Sequence, residues 1–403
     1  MANVLFLAHR LPYPPNKGDK IHTYQLLKHL AARHRVFLGT FVDDPDDEQY
    51  LPVVRAMCAE LHVSRLNPRW ARLRSLRGLI TGEPLTVSFY ADSQLRKWVR
   101  QTRAQHRLDA TLVFSSSMIQ FAEFDDKPVV VDFADVDSAK WAEFSERHAW
   151  PMSWVYRREA RTLLRVERQG AAQARRSLFT TEKEVELFAS LVPESAERCA
   201  VRGSGVDSEY FSVDLDRSSP YNPDEIPLVF MGAMDYWPNV DAVTWFASEA
   251  LPRLRQRWPQ LRFHIVGRSP TPAVLALAGD AVSVTGTVPD VRPYVQHAAA
   301  VVAPMRLARG IQNKVLEAMA MARPVVVASR CVAAMEVQAG VHLIAAESVD
   351  DYVFAVAEVL TAPERARAMG LAGRQQVLSA YSWPARLAGL DGFLGLNALN
   401  EKQ

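Results

Sequence analysis

The stretch Ala303-Pro-Met-Arg-Leu-Ala-Arg-Gly-Ile-Gln-Asn-Lys-Val-Leu-Glu317 puts two arginines, a glycine, a lysine and a glutamate on one strand–loop–helix passage. Gly310 gives the loop a place where backbone can come close to a ligand. The helix is predicted to begin near Asn313. Its free N–H groups and positive dipole end face the loop, and together they make an anion site. Lys314 adds a formal charge there, and Arg306 and Arg309 can add more from the loop. Glu317 follows Lys314 by about one helical turn. A carboxylate at that place can accept hydrogen bonds from the two hydroxyls of a ribose. The set therefore fits a nucleoside diphosphate, with its phosphates on the helix start and its ribose on Glu317. The same residues also fit a surface ion pair on an ordinary helix.

Other candidates are weaker. Asp132, Asp135 and Asp137 follow the apolar run Val129–Val131, where parallel α/β folds bind ligands. Asp135 is placed to orient an acceptor hydroxyl or take its proton; Asp137 suits a helix cap near Ser138. Lys17, Gly18 and Asp19 precede the first predicted helix. Gly18 either admits a sugar beside the backbone or is a turn glycine, and Asp19 is equally an N-cap. His9 ends the first predicted strand, whereas His22, His264 and His297 read as packing or surface residues. Tyr236 and Trp237 either stack on a sugar or form a partly buried loop. No His/Cys/Asp spacing suggests a metal cage.

These residues need elements to position them. Continuous apolar runs at Val4–Ala8, Val36–Phe41, Leu61–Ser64, Ala110–Phe114, Val129–Asp132 and Leu178–Thr180 alternate with helical patterns. That predicts a parallel sheet covered on both faces. The alternation restarts at Leu228–Met231, Arg262–Val266, Val282–Thr285, Ala299–Ala303, Pro324–Ala328 and His342–Ile344. Helices are expected over Asp241–Leu254, Asn313–Ala322 and Val349–Leu360, and a last one over Pro384–Leu396. The turn-rich stretch from 207 to 227 reads as a linker. The expected domains are 1–206 and 228–383, with 384–403 packing back on the first.

The chain has 403 residues, 49% hydrophobic and 23% charged, with a formal net charge of +2. Wholesale disorder is excluded, and bulk charge argues against a dedicated nucleic-acid binder. Cys58, Cys199 and Cys331 are far apart, so a disulfide framework is not expected and a reducing cytoplasm fits. The Val4–Ala8 run is broken at once by His9, Arg10 and Pro12, which reads as a buried strand rather than a signal peptide. Between Arg65 and Arg107 there are ten Arg/Lys and two acids, Glu83 and Asp92. Most such runs are solvated helix faces. With Trp70, Leu73, Leu76, Leu79 and Ile80 interleaved, the alternative is peripheral contact with an anionic membrane surface, at the inner face of the plasma membrane.

Gly310-Ile-Gln-Asn-Lys-Val-Leu-Glu-Ala-Met-Ala-Met-Ala-Arg-Pro-Val-Val326 resembles the donor-site signature of GT-B glycosyltransferases of the retaining family 4 type. Further pieces resemble that family in its order. They are Pro14-Pro-Asn-Lys-Gly-Asp-Lys20, Gly205-Val-Asp207, Val229-Phe-Met-Gly-Ala-Met-Asp-Tyr-Trp-Pro-Asn-Val240, Phe263-His-Ile-Val-Gly267 and Val284-Thr-Gly-Thr-Val-Pro-Asp-Val291. Val131-Asp-Phe-Ala-Asp-Val-Asp-Ser-Ala-Lys-Trp141 resembles the sugar transferases of exosortase-associated exopolysaccharide clusters in particular.

The resemblance implies an α/β chain of two Rossmann-like domains facing each other across a cleft, and retaining transfer from a nucleotide sugar to a glycan or lipid-linked acceptor. It implies a donor site at Gly232, Val288, Arg306, Arg309, Gly310, Ile311, Gln312, Asn313, Lys314, Val315 and Glu317. The acceptor side would hold Lys17, Gly18 and Asp19, with Asp135 and His9 catalytic. No cofactor and no metal is implied. Several positions depart from the family pattern: Arg309 stands where its first Glu is usual, Ala233 follows Gly232 in place of Arg, Ser204 replaces the hinge Asn, and Ala134 replaces a His. Two other readings are an epimerase that turns over its donor without an acceptor, and a catalytically degenerate scaffold.

Overall fold

The computed structural model describes residues 1–306, 311–333 and 335–396. The chain forms two units: Met1–Ser204 joined by the returning segment 386–396, and Gly205–Ala385.

In the first unit, β1 (Asn3–Ala8), β2 (Arg35–Val42), β3 (Glu60–Arg65), β4 (Ala110–Phe114), β5 (Val129–Ala134), β6 (Arg176–Phe179) and β7 (Cys199–Val201) form one sheet. The order is β3-β2-β1-β4-β5-β6-β7, with every pairing parallel. Val4 through Ala8 are all buried, as unbroken apolar strands must be when helices cover both faces. The covering helix Ser93–Gln105 shows how the pattern works. Asp92 caps it through the Leu95 amide at 2.7 Å, and Leu95, Val99 and Thr102 recur on its buried face.

The second unit has β8 (Ile226–Met231), β9 (Leu261–Val266), β10 (Val282–Gly286), β11 (Ala300–Ala303), β12 (Val325–Ala328) and β13 (Ile344–Ala346). Their order is β10-β9-β8-β11-β12-β13, again parallel. In each sheet the strand order reverses once, between β1 and β4 and between β8 and β11. Loops leaving the carboxyl ends of strands at such a reversal diverge and open a crevice. The 9–17 and 232–236 stretches and residues 304–306 leave these strands.

Several expectations are revised. The expected linker at 207–227 packs on the second unit: the Asp214 amide donates to Gln296 at 3.0 Å, and the Tyr221 hydroxyl to the Tyr294 carbonyl at 2.6 Å. Most of its polar residues stay exposed and close local turns, while Tyr294 and Gln296 of the helix Arg292–Gln296 hold the stretch in place. The expected Asp241–Leu254 helix runs from Trp237 to Arg257 through a π-helical turn, Phe246–Ala250. That turn lies just before Pro252, whose missing N–H breaks the regular ladder. The expected Pro384–Leu396 helix is two short ones, Trp383–Leu387 and Leu390–Phe393, parted at Gly389. The last strand is Ile344–Ala346, not His342–Ile344. The apolar residues from Trp70 to Ile80 fall on two short helices, Pro68–Ser75 and Gly78–Thr81.

Candidate functional site

The crevice of the second unit is built around glycine contacts. Gly232 and Gly267 end β8 and β9, both at φ +155. A Cβ on Gly267 would lie 1.7 Å from the Gly232 carbonyl oxygen. A Cβ on Gly232 would meet Asn239 Nδ2 at 2.7 Å and Lys314 Nζ at 3.4 Å. Only glycine permits so close an approach. Buried Asn239 joins the parts: its Nδ2 donates to the Ala233 carbonyl at 2.8 Å and its Oδ1 accepts from Lys314 Nζ at 2.5 Å. Lys314 Nζ also sits 4.4 Å from the Phe230 ring centroid, a cation–π distance.

Lys314 is the second residue of the helix Asn313–Ala320, and Gln312 in the N-cap position makes no side-chain cap. Among the described residues no side chain accepts from the first amides of the helix, as one does at most helix starts. Burial lowers the Lys314 ammonium to about 8, with Glu317 working against the shift. Burial likewise raises the Glu317 carboxyl to about 7 against the pull of Lys314. Glu317 is half-buried, and its carboxylate has no hydrogen-bond partner among the described residues. Val315 is fully buried in the second core, while Asn313 and Ile311 are exposed and Val288 is half-buried against that core. Arg306 is already engaged: Asp241 takes its Nε at 3.1 Å and its Nη2 at 2.5 Å, and its guanidinium lies over Trp245. Arg309 and Gly310 lie outside the described residues. Tyr236 and Trp237 are both exposed, so the loop after β8 is not a buried aromatic cluster.

The crevice of the first unit holds charged pairs. His9 Nε2 lies 3.1 Å from Asp19 Oδ2, and Arg10 donates to the same oxygen at 2.8 Å. Burial opposes ionisation of Asp19, but His9 and Arg10 outweigh it and hold the carboxyl well below its usual range. Asp19 is thus a partner of His9 rather than an N-cap, for Lys17 holds the cap position. The His9 ring stacks on Phe114, 5.9 Å between centroids, and its Nδ1 is buried with no hydrogen-bond partner among the described residues. Lys17 and Gly18 are exposed, and a Cβ on Gly18 would meet nothing within 4 Å. Gly18 lacks the positive φ that a turn glycine would need.

Asp135 accepts from Thr180 Oγ1 at 2.9 Å and from Lys140 Nζ at 3.0 Å. Burial pushes its carboxyl up, but Lys140 and Thr180 pull it down by more, leaving it below the usual range. Such a group holds a hydroxyl better than it takes a proton. Asp137 is not the expected cap. Its carboxylate faces Lys140 at 3.4 Å, and Glu167 instead receives the amide and hydroxyl of Ser138.

The sequence reading missed Asn239, Gly267 and a buried cluster behind Asp135. In that cluster Arg202 Nε donates to Asp132 at 2.5 Å and its Nη2 lies 2.8 Å from His22 Nδ1. Burial, reinforced by Arg202, drops His22 to about 3. The matching positions of Gly232 and Gly267, each directly after an apolar strand, were the signal available for the glycine contact. Among the described residues no group of His, Cys, Asp and Glu has a metal-binding arrangement, and no helix is long and apolar enough to cross a membrane.

Residues 225–362 match the family described as Glycosyl transferases group 1. No curated protein matches the chain. Solved structures do, over nearly all of their length and of this chain. Sucrose-phosphate synthase from Thermosynechococcus elongatus is 18% identical, covers 100% of this chain and 99% of its own, and has a TM-score of 0.61. Anabaena HepE, solved with UDP and glucose, is 15% identical, with 98% and 100% covered and a TM-score of 0.60. WaaG, a glycosyltransferase involved in lipopolysaccharide biosynthesis, is 16% identical, with 97% and 100% covered and a TM-score of 0.60. Two parallel sheets, each with its order reversal and flanking helices, and these full-length likenesses make the fold GT-B. The match of residues 225–362 to glycosyl transferases group 1 supports a glycosyltransferase.

Proposed function

We propose that the protein transfers a sugar from a nucleoside-diphosphate sugar to an acceptor hydroxyl. The observation that carries this is the start of the Asn313–Ala320 helix. There Lys314, held by Asn239 against a side-chain-free Gly232 backbone, stands one turn from a half-buried carboxylate with no described partner. The diphosphate takes the helix amides and Lys314, and the ribose hydroxyls donate to Glu317. As the bond from the anomeric carbon to the diphosphate oxygen breaks, negative charge grows on that oxygen beside Lys314 and the helix start. The acceptor oxygen forms the new bond to the same carbon, with retention, and its proton leaves on the departing phosphate. The neighbouring HepE was solved with UDP-glucose, which favours a uridine donor here. Arg306 contributes little to the phosphates, because Asp241 already neutralises it.

The first unit takes the acceptor. The ionised Asp135 orients its hydroxyl, His9 acts from the same crevice through the Asp19 carboxylate it holds, and the exposed Lys17–Gly18 backbone receives the adjoining group. The acceptor we favour is a glycan or lipid-linked intermediate of exopolysaccharide synthesis, met at the inner face of the plasma membrane. The sequence resemblance and the basic 65–107 stretch support that choice.

A thermal-shift series with UDP, GDP, ADP and CMP, repeated on Glu317→Ala, tests the donor site. Stabilisation by a nucleoside diphosphate that disappears in the variant is expected. No shift with any nucleotide would sink the enzyme reading in favour of a scaffold, and donor turnover independent of acceptor would point to an epimerase.

A further inference from the structure

Two apolar patches of the first unit remain uncovered, and both adjoin arginines. The helix Pro68–Ser75, capped by Asn67, buries Ala71 and Ser75. Its other side shows Trp70, which is 70% exposed, and Leu73; Leu76 follows just beyond the helix and is also exposed. At the helical repeat these three span about 120° of the circumference. Exposed Arg72 and Arg74 flank that arc, exposed Arg69 and Arg77 stand on it at its two ends, and no acid occurs between 61 and 82. Arg74 also reaches the Phe89 carbonyl at 3.1 Å. In the next turn, Gly78–Thr81, Ile80 is 91% exposed.

Buried Arg158 donates to the Gly78 carbonyl and, at 3.1 Å, to the Glu83 carbonyl. It thereby fastens this turn to the helix Met152–Gln173. One turn earlier on the same face stands exposed Trp154, with exposed Met152 and Trp150 leading into it. The second patch is therefore brought to the side where the first is docked.

The other basic helix of the unit shows that this is not mere abundance of charge. Ser93–Gln105 buries Leu95 and Val99, and its arginines are engaged. Arg103 binds Glu123 and Asp125, Arg100 faces Glu123, and Arg96 donates to the Gln120 carbonyl. The basic stretch 65–107 thus divides into a solvated half and a half with an uncovered apolar arc.

We propose that Trp70, Leu73, Leu76 and Ile80, with Trp150 and Trp154, form a docking surface for an anionic lipid bilayer. The indoles and aliphatic side chains enter the headgroup boundary while Arg69, Arg72 and Arg77 meet lipid phosphates. Charge complementarity selects this occupant. An apolar arc bordered by cations and free of acids matches a surface whose polar layer is anionic and whose interior is hydrocarbon. Tryptophan is also the side chain enriched at that boundary. The inference deepens the lipid-linked-acceptor part of the proposed function and rests on it for its purpose.

Co-sedimentation of the full chain with phosphatidylcholine vesicles, with and without phosphatidylglycerol, tests it. Binding is expected to need the anionic lipid. It should fall at least about tenfold when Trp70→Ser, Ile80→Ser and Trp154→Ser are combined, and also in Arg72→Gln with Arg77→Gln. Lys97→Gln with Arg100→Gln on the other basic helix should bind like the parent. All these side chains are exposed, and a melting curve of each variant checks its folding. Equal binding to neutral vesicles, parent-like binding by the triple variant, or a dimer of the parent that the triple variant dissolves would each overturn the proposal. A nucleotide thermal shift on the same samples separates the two claims. Nucleotide binding without vesicle binding removes only the docking surface, and the reverse removes only the donor site.

Discussion

Glu167 in the first unit and Glu317 in the second are both raised by burial to about 7, yet they do opposite things. Glu167 is fully buried, and its oxygens receive the Ser138 amide at 3.2 Å, the Ser138 hydroxyl, and the Ser116 hydroxyl at 3.1 Å. It ties the start of the Asp137–Arg147 helix to the loop after β4. Glu317 is half-buried, and nothing among the described residues donates to it. A raised carboxyl therefore does not by itself mark a site. The hydrogen bonds separate a lock from a receptor: Glu167 already holds its donors, whereas the half-buried Glu317 has none among the described residues and can take those a ligand brings.

The largest expected effect breaks that comparison at its functional end. Glu317→Ala should weaken nucleoside-diphosphate binding by about 100-fold, the loss of two hydrogen bonds to a charged group. The melting temperature should hold or rise, since a half-buried acid whose ionisation is disfavoured by burial is removed. Titration calorimetry and melting curves check both halves. Next, Glu167→Ala should cost about 2–3 kcal/mol in denaturant unfolding while leaving nucleotide affinity unchanged. A neutral result would make the two glutamates alike after all.

The pH profile comes third. Nucleotide affinity should be greatest between about pH 7 and about pH 8, as Glu317 must be ionised and Lys314 protonated. It should fall about tenfold per unit outside that window. For Glu167 the sign is reversed in kind. Its folded value lies above the usual 4.5, so the stability it contributes is full below about 4.5 and is lost as pH rises through about 7. Glu167→Gln should flatten that part of the stability profile, as thermal unfolding from pH 4 to 8 would show. The smallest effect is expected from Arg306→Gln, within about 1 kcal/mol for both stability and nucleotide affinity, because the group is an exposed ion pair.

The strands that frame both crevices were legible because they are long, unbroken and apolar, as in Val4–Ala8 and Ala110–Phe114. Cys199–Val201 was not: it has three half-buried residues at a sheet edge, with too little pattern to show. The helix Pro363–Gln376 was also missed, although its leading proline suits a first turn. Within the donor crevice, Lys314 and Glu317 were readable from their spacing at a helix start. Asn239 was not, because its role depends on a helix start 75 residues away in sequence folding onto Lys314. The engagement of Arg306 by Asp241, across 65 residues, was hidden for the same reason. Local chemistry shows in sequence, whereas partners chosen by topology do not.

The return of the chain to the first unit has a consequence for synthesis. His34 Nε2 lies 3.2 Å from Asp391 Oδ1, and Leu390, Leu394 and Leu396 are buried. The ribosome delivers residues 205–385 between the two parts of that unit. The second unit therefore has its whole sequence in hand first, and the unit begun earliest is finished last. Until residues 386–396 emerge, its nascent form lacks the Asp391 partner of His34 and must persist with that apolar seat open to chaperones.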